Sequence, residues 1–471
     1  MSTPSLYFNG LDGETGEYLH PPATPDQLAP LARRGPLTAE NLVDAQVWLR
    51  QDKRALRGSS DPRDLAQAGW GVIFAEKDAK AEEIRAALQP LLDLRRAQAG
   101  RVREHFYREF SGTRGYQEGD TKRRFLSRHG VGPGAADPDH MPYYLMIVGD
   151  PETVSYEFQY QLDMQYAVGR IWFDSVEGYA QYACNVVAAE TNRKPRGRSA
   201  AFFGPQHPDD SATELSATQL AAPLAAHAAK SAGWTVRGAF GDEATKARLG
   251  SLLGGEETPD FLFTAGHGMV FPNGDPRQAP SQGAILCREW PGPQAWHGRI
   301  PSDFYFGGDD INGTDKIRGM ISFHFACYSA GGPAWDDYST AHVRVPVAPR
   351  PFISHLPQRL LQAGALAVIG HVEKAWQCSI EWPEAGTQIQ VFEDAVSRLL
   401  SGHPVGSAME PFGQRYAELA ADLSAGLEDA WKGTPEEELR LAELWMNSHD
   451  ARNYIVLGDP AVRLVWPEDL S

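Results

Sequence analysis

Two short apolar runs that stop at the same kind of break constrain this chain more than anything else in it. Phe261-Leu-Phe-Thr-Ala-Gly-His267-Gly268 ends in His-Gly; sixty residues on, Met320-Ile-Ser-Phe-His-Phe-Ala326-Cys327 ends in Ala-Cys. A brief, β-rich apolar run bounded by glycine reads as a strand covered on both faces, the condition of a central strand in a parallel sheet. If the two strands are neighbours, a histidine and a cysteine leave the sheet at one edge. Open α/β sheets keep their sites at the carboxyl ends of their strands. A thiol beside an imidazole at that place is the equipment of a cysteine nucleophile with an acid/base partner.

The rest of the chain repeats this grammar. Gly69–Ala75, Tyr143–Gly149, Ala200–Gly204, Thr235–Phe240, Ala365–Gly370 and Tyr454–Gly458 read as further strands. Helical spacing fills Ala79–Ala99, Val176–Asn192, Ala212–Ala232, Pro351–Ala363 and Thr387–Leu400, and Glu410–Arg452 reads as a helical excursion before the last strand. Strands alternating with helices predict an α/β fold, a mostly parallel sheet flanked by helices. Residues 111–141 and 266–319 read as loop and insertion. With 471 residues, more than one subdomain is expected. The divisions are an N-terminal extension (1–65) that packs on the rest or caps it, a first α/β subdomain (66–195), and a catalytic α/β subdomain (196–471).

Bulk composition excludes several classes. A net charge of −17 repels nucleic acid and anionic membranes. No apolar run reaches the length of a membrane span, and the first residues lack the basic and apolar regions of a signal peptide. Four cysteines, at 184, 287, 327 and 378, form no CxxC pair and no disulfide framework. Reduced thiols and a cytoplasmic location are the expectation.

The chemistry follows from the two breaks. His267 is the acid/base partner of Cys327. Gly268, lacking Cβ, lets a substrate carbonyl approach its backbone N–H. The N–H groups of Gly268 and Cys327 then form a candidate oxyanion hole, where losing one donor usually costs about 2.7–4 kcal/mol of barrier. The bland alternative is that Cys327 is a small buried hydrophobe; the conjunction of both breaks, in this order, favours catalysis.

The paired blocks resemble the caspase-like (clan CD) cysteine peptidases, which share an apolar block with His-Gly followed by one with Ala-Cys. The chain is most similar to the gingipain-like family. Leu145-Met-Ile-Val-Gly-Asp-Pro-Glu152, Ala167-Val-Gly-Arg-Ile171, Gly364-Ala-Leu-Ala-Val-Ile-Gly370 and Asn453-Tyr-Ile-Val-Leu-Gly-Asp-Pro460 look like that family's other blocks, in the same order. The resemblance implies two adjacent subdomains, Cys327 as nucleophile and His267 as general acid. It implies that Glu152 or Asp150 orients the histidine. It also implies that Asp163 sits in a pocket for a basic side chain, with Trp376 as a wall, so that cleavage follows Arg or Lys. Asp309 and Asp310 are rivals for that acid. Residues 339–350, with Arg344 and Arg350, are a candidate self-cleavage loop.

No cofactor is expected. His324 and Cys327 fall on opposite faces of a strand, which argues against a shared zinc ion. Calcium is the open alternative, from Asp-rich loops such as 303–315, although no EF-hand pattern occurs. The expected partner is a protein or peptide substrate, with an activating partner or ligand left open. Two other readings compete: a non-enzymatic interaction module on the same fold, and an acyltransferase using the same dyad on a small molecule.

Overall fold

The structure is a computed structural model, and it describes residues 9–19, 56–57, 60–191, 197–312, 314–338, 344–382, 385–429 and 435–464. Ten strands form one sheet: β1 (Trp70–Phe74), β2 (Tyr107–Phe110), β3 (Tyr144–Val148), β4 (Ala167–Ile171), β5 (Ser199–Gly204), β6 (Thr235–Phe240), β7 (Phe261–Ala265), β8 (Ile321–Phe325), β9 (Ala367–His371) and β10 (Tyr454–Gly458). Their order across the sheet is β2-β1-β3-β4-β10-β9-β8-β7-β5-β6. The strands carrying both breaks are buried along their whole length, as their unbroken apolar runs require. Phe323 meets the rings of Phe263, Phe392, Phe412 and Tyr454 in the core beside them.

The sheet departs from a uniform parallel array at one line. β10 runs antiparallel to β9, with Ala367 opposite Gly458 and His371 opposite Tyr454. It pairs parallel to β4, with Leu457 opposite Arg170. The carboxyl ends of β1–β4 therefore open onto one edge of the sheet and those of β5–β9 onto the other.

Several sequence expectations need revision. Tyr107–Phe110 is an edge strand, and Lys122–Arg128 is a helix capped by Thr121, within a stretch read as loop or passed over. The polar, Arg-rich composition of that edge hides its period. Ser211–Leu215 and Ala222–Ala228 are separate helical pieces joined by a wider turn at Ser216–Ala221. The excursion is two helices, Glu410–Asp429 and Pro435–Arg452. The insertion after His267 carries three short strands, Gly268–Val270, Ile285–Leu286 and Tyr305–Phe306. These form a second, four-stranded sheet whose other edge is Gly10–Asp12 from the N-terminal region. No described helix is long and apolar enough to cross a membrane.

Candidate active site

β7 and β8 are neighbours in register, with Ala265 opposite Phe325, and Gly266 N–H donates to Phe325 O at 3.1 Å. His267 and Cys327 each lie two residues past these partners, so the two breaks leave the sheet together. The turn is tight. Tyr328, directly after the cysteine, takes a left-handed backbone (φ +57°), a conformation costly for a bulky residue and common at functional sites. It is pinned by its N–H to Glu373 O (3.0 Å) and by Ser354 Oγ–H to its own carbonyl.

Gly268 is required by contact. A Cβ there would stand 2.0 Å from Cys327 O and 2.9 Å from Cys327 N. The backbones of Gly268 and Cys327 are therefore pressed together, the arrangement that two converging oxyanion donors need.

His267 is fully buried, and its Nε2 lies 2.8 Å from Asp210 Oδ2. Its Nδ1 has no hydrogen-bond partner among the described residues, which leaves that nitrogen to the chemistry. Asp210 sits just before the helix at Ser211–Leu215, where its carboxylate caps Ala212 N (3.2 Å) and accepts from Thr213 Oγ1 (2.7 Å) and Tyr18 Oη (2.5 Å). Burial pushes this carboxyl up, but the His267 charge and hydrogen bonds from His207, His267 and Tyr18 hold it well below the usual range. Trp290 packs edge-on against both His207 and His267.

The sequence assigned the orienting role to Asp150 or Glu152, and the structure gives that contact to Asp210. The reason is the reversal at β10. Asp150 follows β3, whose carboxyl end opens onto the opposite edge; there it accepts Thr153 N at 2.6 Å. Glu152 is 58% exposed and pairs with Arg350 at 3.6 Å. Asp210 was findable: an Asp-Asp-Ser cap follows the strand at Ala200–Gly204, and β5 is next to β7.

Cys327 is also fully buried, and Ala375 N–H donates to its Sγ at 3.2 Å. Burial pushes the thiol up, only partly offset by the Ala375 contact and by Lys374. Beside it lies a buried polar group: Lys374 Nζ on Asp336 (2.6 Å), and Tyr328 Oη–H on Glu373 (2.7 Å). Burial raises the Glu373 carboxyl to about 8.

Asp163 is not at the dyad. Its carboxyl takes the Val168 N–H, burial pushes it up, and it lines a cavity with Tyr160, Phe412 and Tyr416. Neither Cys327 nor His267 lines that cavity. Trp376 is 2% exposed and stacks at a tilt on Tyr338, within a cluster that includes Tyr416 and Trp445. It is core, while its neighbour Ala375 borders the thiol. Asp309 and Asp310 face His355 (3.1 Å) and Lys246 (2.8 Å) instead of the dyad. His324 bonds Thr264, and His371 bonds the carbonyls of Glu373 and Asp450. Among the described residues no three His, Cys, Asp or Glu side chains gather as metal ligands. Residues 339–343 of the expected cleavage loop lie outside the described residues.

No family model matches the chain, and no curated protein matches it. Among solved structures, it is similar to the Arg-specific cysteine proteinase gingipain R, at 12% identity and a TM-score of 0.47, over 85% of this chain and 79% of that one. It is similar at 0.44 to the complex of the pro- and mature domains of RgpB from Porphyromonas gingivalis, with 12% identity, covering 84% of this chain and 80% of that one. It is similar at 0.31 to separase in the Saccharomyces cerevisiae separase–securin complex, with 10% identity, over 67% of this chain and 16% of that one.

Proposed function

We propose that this chain is a cysteine endopeptidase working by acyl transfer. The Cys327 sulfur attacks a peptide carbonyl, and the N–H groups of Gly268 and Cys327 take the developing oxyanion. His267 protonates the leaving amine while Asp210 orients the ring, and water then hydrolyses the thioester. The single observation that carries this reading is the convergence of Cys327, His267 and Gly268 at one sheet edge, with the imidazole already bonded to a buried carboxylate. A cytoplasmic setting suits the four free thiols.

The preference for Arg or Lys rested on Asp163, which packs away from the dyad, so residue preference is left to the assay. The test is a peptide library with all 20 residues before the scissile bond, given to the protein and to Cys327→Ala. Cleavage abolished by the substitution supports the reading. A library untouched by both proteins, with no labelling of Cys327 by an electrophilic peptide, would refute it. One observation favours the competing interaction module: thiol and imidazole are both 0% exposed.

A further inference from the structure

What closes the site is the chain's own N-terminal region, and it lies there in a specific pose. Gly10–Asp12 pairs in register with Gly268–Val270, the strand that begins at the oxyanion glycine. Asn9 is 3% exposed and carries two backbone bonds. Its N–H donates to Ala375 O at 3.0 Å, and its carbonyl accepts the Gly268 N–H at 3.0 Å. That donor is one of the two proposed for the oxyanion hole. The next residue, Gly10, lies against the nucleophile: a Cβ there would stand 3.2 Å from Cys327 Sγ and 2.7 Å from Leu19 Cδ1. Farther on, Tyr18 sits edge-on to the His267 ring at 5.7 Å and bonds Asp210.

One peptide bond thus has its carbonyl oxygen on an oxyanion donor and its following residue on the sulfur. A bound substrate presents its scissile bond in this way, with backbone bonds on both sides fixing it near the attack geometry. The Asn9 side chain is buried with it, and Asn9 Oδ1 finds no partner among the described residues. The Gly268 N–H bond is the first rung of the parallel pairing of Gly10 with Gly268; what that pairing does not require is a second bond on the other side of Asn9, from its N–H to Ala375 O, or a residue without a side chain over the sulfur.

We infer that Asn9–Gly10 is a substrate bond of this enzyme, cleaved in cis, so that the residue preferred before the scissile bond is a carboxamide and not Arg or Lys. The inference rests on the peptidase reading above. Cys327 Sγ bonds to the Asn9 carbonyl carbon, its proton passing to His267, and the oxyanion rests on Gly268 N–H. The C–N bond to Gly10 breaks, and the Gly10 nitrogen leaves with a proton supplied by His267. Water then attacks the thioester, releasing the segment that ends at Asn9 with a carboxylate there and restoring the thiol. The shortened chain begins at Gly10 and can withdraw from the cleft.

The test uses the full chain, Cys327→Ala and Asn9→Ala, followed over time by intact mass and N-terminal sequencing. Each is also given three peptides in trans: the sequence of residues 6–15, and the same sequence with Arg or Lys in place of Asn9. The expected result is a chain starting at Gly10 in the unaltered protein and none in Cys327→Ala. Self-cleavage in Asn9→Ala should be slowed about tenfold, the loss expected when a buried side chain no longer fills its place. The Asn peptide should be cut ahead of the Arg and Lys peptides. Cutting of the Arg or Lys peptide with Asn–Gly spared would overturn the inference and leave the peptidase reading standing. A break at Asn9–Gly10 that also forms in Cys327→Ala would be spontaneous Asn–Gly chemistry, and would overturn it too. An intact chain that cuts none of the peptides would overturn the inference, and the 20-residue library with labelling of Cys327 would then decide the peptidase reading.

Discussion

Asp210→Asn isolates the residue that the sequence did not assign. The carboxylate accepts from His267, Tyr18, Thr213 and Ala212 N at 2.5–3.2 Å, and its side chain is fully buried. An amide of the same shape presents one oxygen and one donor to this set of donors, so at least one faces an N–H. If His267 loses its fixed orientation, the proton it gives the leaving amine is misplaced. General acid–base catalysis is worth about 10²–10⁴-fold, and the expected loss in kcat lies in that range, with KM moving less than about threefold. The stability effect has a definite sign. Asp210's folded pKa is depressed, so its contribution is fully present above the unfolded value of about 3.9 and is lost as pH falls through the folded value. The gap between the two proteins in urea unfolding should therefore be constant above about pH 5 and shrink only as pH falls below about 3.9. Tyr18→Phe is the control, because it removes one bond to the same carboxylate without touching the imidazole. A variant Asp210→Asn with kcat within about threefold of the parent would refute the orienting role, whatever its stability.

Gly268→Ala drives a methyl into the Cys327 carbonyl and should cut kcat about 10²–10³-fold, with thermal unfolding separating lost catalysis from lost fold. Asp459→Ala removes the acceptor of Trp70 Nε1 (2.9 Å) and Arg95 Nε (2.6 Å), a buried tie between β1 and the end of β10. Its expected cost is about 3 kcal/mol in urea unfolding, the low end for a broken buried pair because Arg95 keeps Glu190. Glu373→Gln tests the raised carboxyl. A folded pKa of about 8 against an unfolded value near 4.3 makes the Glu contribution full at low pH and lost as pH rises through 8. The Gln protein should therefore gain on the parent by about 3–4 kcal/mol between pH 5 and pH 8; a pH-independent difference would contradict the burial argument.

The parts legible in the sequence were those with short-range signatures. Unbroken apolar runs gave the central strands, and the register of Ala265 with Phe325 put His267 and Cys327 side by side as the two breaks implied. The direction of β10 was illegible, because a buried strand reads the same both ways along the sheet. That one reversal sends Asp150 to the other edge; Glu152 turns to Arg350, and the histidine is left to Asp210. The N-terminal contact was illegible for another reason. Gly10 and Asn9 meet Gly268 and Cys327 across more than 250 residues, and a three-residue strand in a polar stretch has no period of its own to read.

The closure and the chemistry follow from the same residues. While Gly10 covers the sulfur, burial favours the neutral thiol, and the Gly268 N–H is already spent on the Asn9 carbonyl. An incoming peptide must displace Asn9 from that donor and break its bond to Ala375 before it can be attacked. The strap is intramolecular, so it competes at a high effective concentration, and exchange alone is an inefficient way to open the site. Cutting Asn9–Gly10 removes that advantage for Asn9, which frees the Gly268 donor, while Gly10 stays tethered by its pairing beside Gly268. The latent and active forms of the site would differ by one peptide bond, the bond seated over the thiol.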